Sequence, residues 1–115
     1  MSSIRTGLIG LTVAGDAVPI ANGVLTVAQG VTAVNPETGT TDDLDTISLS
    51  GALSALGFGS TYAPLIILQG TTSNTITVKH GTGNIQLNNA ADLSLGATDA
   101  LMLFYDGTNW HDLGY

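Results

Sequence analysis

Cysteine is absent from this chain of 115 residues. That excludes disulfides and thiolate metal sites, and it fits an oxidising or a reducing compartment equally well. Basic residues are almost absent too: Arg5 and Lys79 stand against nine acids, for a net charge of −7. A chain this acidic cannot neutralise phosphates, so direct nucleic-acid binding is excluded, and anionic membrane surfaces repel it for the same reason. Charged residues of both signs make up 10% against a usual value of about 25%, while hydrophobic residues reach 43%. With so little charge to cover an ordinary solvated surface, we expect part of the exterior to be buried by copies of the chain or by a partner. Long apolar runs are missing as well. The longest without interruption, Ala100 to Tyr105, has six residues, far short of a membrane span. Arg5 followed by TGLIGLTVAGDA faintly resembles a secretory leader, but its apolar part is short and broken by Gly and Thr.

Features that would carry chemistry are equally scarce. The chain has no G-x-S-x-G elbow. His80 and His111 belong to no spaced set of ligands and read as surface or hydrogen-bonded residues. Gly81-Thr82-Gly83-Asn84 leads into the strand residues Ile85 and Leu87, not into a helix, so it is no phosphate cradle. Asp42-Asp43-Leu44-Asp45 lacks the alternate spacing and central glycine of a calcium loop. We read it as a helical turn capped by Asp42 or Asp43, with Leu44 and Ile47 facing inward. No catalytic, cofactor-binding or metal-ligating residue is assigned.

What the chain does have is a succession of short strands. In its last third the pairs Ile76/Val78, Ile85/Leu87, Leu93/Leu95 and Leu101/Leu103 recur at offsets of nine, eight and eight residues. Each pair can point to one core face, and Gly, Asn and Asp fill the intervals. Regular short strands of this kind predict an all-β sandwich or barrel, here read as a meander. Ala63 to Gly70 is a continuous apolar strand bounded by Pro and Gly, expected at the centre of the body and covered on both faces. Tyr105-Asp106-Gly107-Thr108 predicts a tight hairpin between residues 101–105 and 109–113. Ser50 to Gly57 suits one short helix capped by Ser50 and ended by Gly57, or an irregular crossing.

The first 34 residues are β-branched-rich and almost uncharged. Asn22-Gly23 marks a hairpin turn, and Pro19 belongs at a sheet edge or outside the ladder. An uncharged strand-forming segment is an aggregation hazard unless it docks on another subunit or surface, or completes its own sheet. The turn-forming stretch Asn35-Pro36-Glu37-Thr38-Gly39 divides an arm, residues 1–40, from a body, residues 41–115. The arm residues Leu8, Ile9, Leu11, Val13, Val24, Leu25 and Val27 are the expected partner contacts, together with Phe104, Tyr105 and Trp110 near the C-terminus.

The segments around Asp42–Ile47 and Leu65–Leu68, with ITVKHGTGNI (Ile76–Ile85 at its core) and YDGTNW (Tyr105–Trp110), resemble a module of tailed-bacteriophage structural proteins. The module is similar to domains of head decoration (cement) proteins and of tail fibres or spikes. The resemblance covers roughly residues 40 to 113. It implies a non-enzymatic, small antiparallel β-sandwich or barrel-like meander, trimeric, that binds a virion surface or ends a fibre. Because little chain precedes the module, we expect capsid decoration first. Its partners would be its own copies in a homotrimer and the major capsid protein or another virion protein. The alternative is a receptor- or glycan-binding tip of a tail fibre, with Trp110, Tyr105 and His111 on an exposed face.

Overall fold

The computed structural model describes residues 16–113. Strands β1 (Val18–Pro19), β2 (Val24–Val27), β3 (Val31–Asn35), β4 (Thr41–Leu44) and β5 (Thr46–Leu49) precede one short helix, α1 (Gly51–Ala55). Then come β6 (Leu65–Gln69), β7 (Thr75–Val78), β8 (Ile85–Gln86), a single 3-10 turn, β9 (Leu93–Leu95), β10 (Ala100–Tyr105) and β11 (Trp110–Asp112). They form a six-stranded sheet in the order β1-β3-β6-β10-β11-β8, a three-stranded sheet β4-β7-β9 and the pair β2-β5. The architecture is the all-β sandwich that the strand spacing predicts.

One continuous core lies between the layers. Ile66, Leu68, Leu101, Leu103 and Trp110 face into it from the large sheet. Leu25, Val27, Leu44, Ile47, Ile76, Val78 and Leu95 face into it from the other two. The strict alternation along the strands produces this division: β2 and β7 bury every second residue, and the residues between remain exposed or half-exposed. Outside the core, the two smaller sheets present hydroxyls and a carboxylate, with Thr26, Thr41, Asp43 and Thr75 all exposed. The outer face of the large sheet is different in kind, and β6 shows it. Ile66 and Leu68 are fully buried, but Leu65 and Ile67 on the opposite side are only half-buried. The expected cover on both faces of this strand is therefore present on one.

Strand pairing departs from a meander. The strands of the last third do not pair in succession: β7 lies between β4 and β9, while β8 pairs in parallel with β11. Through the middle of the chain each strand pairs in parallel with the one three places later. Val24 lies opposite Thr46 in β2-β5, Val31 opposite Ile67 in β3-β6, and Thr41 opposite Thr75 in β4-β7. The chain thus makes two turns of a three-sided coil, which β9, β10 and β11 then close with antiparallel pairing. Spacing of apolar residues fixes which face a side chain takes, not which strand lies beside it, and so the order of the sheet was not foreseeable.

Asp42 to Ile47 is not a helical turn. It is the corner between β4 and β5, with Asp45 at the bend. The amides of Asp45 and Thr46 both donate to the Gly23 carbonyl, at 2.9 and 3.0 Å. Leu44 and Ile47 do both face inward. An i, i+3 pair satisfies that requirement on a helix, and it does so equally on two strands that meet at one intervening residue. Ser50 to Gly57 is helical as expected: the Ser50 hydroxyl accepts from the Leu53 amide at 3.3 Å, and Gly57 ends the turn with φ +93°. Asn22 and Gly23, at φ 52° and 79°, make a tight turn closed by reciprocal bonds between Ala21 and Val24, but the strands on either side do not form the expected hairpin: β1 lies beside β3 and β2 beside β5. Pro19 lies in β1, at an edge of the large sheet.

Candidate functional site

At one end of the sandwich β5 approaches the hairpin of β10 and β11, and the loop after α1 folds over the gap. Gly57 and Gly59 take φ +93° and +91° and turn this loop sharply. The Gly57 carbonyl accepts from the amides of Thr61 and Tyr62, at 2.7 and 2.9 Å. The result is an open cleft of about 450 Å³, lined by the hydroxyl residues Thr46, Ser48, Ser54 and Ser60 and by the rings of Phe58 and Tyr105. A smaller hollow of about 150 Å³ continues from it past Tyr62, Asp106 and Gly107, with Tyr105 shared between the two. Gly59 keeps the floor open, since a Cβ there would stand 3.3 Å from Leu49 Cδ1 and 3.6 Å from the Tyr105 ring.

The floor is held rigid by the carbonyl of Ile47. It accepts from the Asn84 amide at 2.8 Å and from the Trp110 indole at 3.2 Å, while the Ile47 amide donates to Asn84 Oδ1 at 2.9 Å. The Asn84 side chain thus completes the ladder of β5 as a third strand would. Trp110 is 1% exposed and packs against Tyr105 with ring centroids 4.9 Å apart. Sequence reasoning did not single out Asn84 or Gly59. The one available signal was an Asn immediately before an apolar strand pair.

Beside the cleft, Asp106 closes the hairpin. Its Oδ1 accepts from the amides of Thr108 and Asn109, at 2.8 and 2.7 Å, and its Oδ2 meets His111 Nε2 at 2.7 Å. These bonds, the one from the Asn109 amide first, lower its pKa from 3.8 to about 2. His111 stacks on Phe104, with centroids 5.1 Å apart. Further round the surface Lys79 pairs with Asp92 at 3.0 Å, which raises the lysine pKa, while the His80 amide and that same lysine lower the pKa of Asp92. Among the described residues no three His, Asp or Glu converge as a metal site.

The residues expected to touch partners are dispersed. Leu8, Ile9, Leu11 and Val13 lie outside the described residues. Val24 is half-buried, whereas Leu25 and Val27 are fully enclosed in the chain's own core. Phe104 and Tyr105 are half-buried on opposite sides of β10. Tyr105, Trp110 and His111 do not share an exposed face. Tyr105 pairs with Trp110 on the core side, and His111 pairs with Phe104 on the outer side, as alternation along a strand requires.

A two-layer β-sandwich whose polar side chains are given to bonding its own turns and edges defines a structural β module. The chain belongs to the family of the phage depolymerase C-terminal beta sandwich domain, whose sequence model matches residues 24–111. No curated protein and no solved structure matches the chain. The family makes this a bacteriophage structural β domain of the tail fibre or spike type, a virion component. The matched part of a depolymerase is a structural sandwich and not its catalytic part. Capsid decoration, the first expectation from sequence, gains no support from the match, which favours the tail.

Proposed function

We propose that this chain is the receptor- or glycan-binding tip domain of a tail fibre or spike, without catalytic activity of its own. The family membership supports the tail, and the cleft supports the binding role. A saccharide ring offers apolar C–H faces and a rim of hydroxyls. It therefore suits a shallow site in which an aromatic ring lies beside several short hydroxyl side chains. The cleft has that composition, with Tyr105 between its two lobes and Thr46, Ser48 and Ser60 around it. Trp110 is not a contact in this proposal, because its ring is enclosed and its N–H is committed to Ile47.

The test is a titration of the purified chain against oligosaccharides cut from bacterial surface polysaccharides, followed by NMR of the backbone amides. Binding should shift the amides of residues 46–49, 58–62 and 105. Tyr105→Ala should weaken it by about tenfold or more, consistent with loss of an aromatic contact of about 1.4 kcal/mol. Shifts elsewhere, or none with any saccharide, would remove the cleft from consideration.

A further inference from the structure

The cleft is uncharged although the chain is strongly acidic. Thr46, Ser48, Ser54 and Ser60 line it with the rings of Phe58 and Tyr105, and no residue in its wall carries a charge. The carboxylate nearest to it in the lining is that of Asp106, in the smaller hollow past Tyr105. The Asn109 amide, His111 and the Thr108 amide keep that group ionised down to about pH 2. The cations are engaged elsewhere. Among the described residues Lys79 pairs with Asp92 at 3.0 Å and feels Asp43 and Asp45 as well. His80 takes the Leu87 amide on Nδ1, and His111, stacked on Phe104 on the outer side of β10, turns Nε2 to Asp106. The side-chain N–H groups in the wall are spent too: the Asn84 amide and the Trp110 indole both donate to the Ile47 carbonyl.

We infer that the cleft takes uncharged saccharides and rejects those bearing carboxylate or phosphate groups, an inference that rests on the saccharide-binding reading above and gives it a ligand class. An anion drawn out of water needs a cation or converging N–H donors as its counterpart. Here it would find neither, with the Asp106 carboxylate close by and a net charge of −7 on the chain as a whole. A neutral sugar has no such requirement. Its hydroxyls both donate and accept, as do those of serine and threonine, so each can be matched by the wall without a charge on either side. Ser48 already shares a hydrogen bond with Thr26 at 3.1 Å, while the hydroxyls of Thr46 and Ser54 bond no other group among the described residues.

The test presents the same saccharides in two charge states. A panel of bacterial capsular oligosaccharides containing hexuronic acids, and the same oligosaccharides with their carboxyls reduced to primary alcohols, would be titrated into the full chain at about pH 8, above the ordinary imidazole range. The amides of residues 46–49, 58–62 and 105 report occupation of the cleft. The reduced form should bind at least about tenfold more tightly than its acidic parent at low ionic strength. Raising salt from about 20 mM to about 500 mM should leave the reduced form's affinity unchanged and narrow the gap by screening the acid. Ser60→Lys, at an exposed position shared by the two hollows, should abolish or reverse the preference. Thr75→Lys, which changes the net charge equally on the three-stranded sheet, should leave it in place. A preference for the reduced form that only Ser60→Lys removes supports the inference. An acidic oligosaccharide that fills the cleft as tightly as its reduced form, or a preference that Thr75→Lys removes as well, overturns it and leaves the saccharide-binding reading standing. Silence of both forms across the panel overturns that reading and the inference together.

Discussion

Asn84 does more for this sandwich than its place in a glycine-rich turn suggests. Its amide group occupies both backbone groups of Ile47, on the side of β5 away from β2. Asn84→Ala would leave the part-buried Ile47 amide without its partner and the Ile47 carbonyl with the Trp110 indole alone, at a cost of about 1–3 kcal/mol in urea unfolding. Asn84→Asp should cost nearly as much, since a carboxylate cannot donate to the Ile47 carbonyl. Asp106 sets a pH dependence. Its pKa is depressed from 3.8 to about 2, so the stability it lends is present above about pH 4 and is lost as pH falls towards 2. The melting temperature of Asp106→Ala should therefore lie below that of the parent at pH 7, with the gap closing by about pH 2. A gap that persists at pH 2 would mean that the charge of Asp106 is not what holds the hairpin.

Among the elements, β6 depends most on close backbone approach. It ends at Gly70, whose amide donates to the Asp99 carbonyl at 2.9 Å, and a Cβ there would overlap the Gly96 carbonyl. Gly70→Ala should cost about 1–3 kcal/mol by thermal or urea unfolding, because only backbone can yield. Gly81→Ala meets nothing within 4 Å, and its penalty comes from φ +74° alone, so it should be milder. Elements were the most legible level of the sequence. Leu65–Gln69, Thr75–Val78, the Asp106-Gly107 hairpin and the Ser50-capped helix can all be read from alternation and turn chemistry. The corner at Asp45 could not, since Leu44 and Ile47 face the core under either reading. The cleft was hidden too: it is built from Ser54, Ser60 and Thr46, ordinary residues brought together only by the path of the chain.

At the level of the whole molecule, composition carried real information. A deficit of charge implied a surface that water does not fully cover, and among the described residues the exposed large hydrophobics are Leu56 after α1 and, on the large sheet, Met102 of β10 with Leu113 just beyond β11. Neither the composition nor the strand spacing could specify that sheet, because its membership depends on pairing across long stretches of chain. The same distance in sequence bears on how the molecule comes into being. Val31 must find Ile67, and Thr41 must find Thr75, before either coil turn closes, and β6 gains its second neighbour only when β10 is in place. Each such closure costs entropy before it returns contacts, which slows folding to the millisecond-to-second range of non-local β topologies. A nascent chain leaving the ribosome would accordingly hold β6 with one edge bare until β10 emerged, and crowded synthesis would favour entanglement over closure.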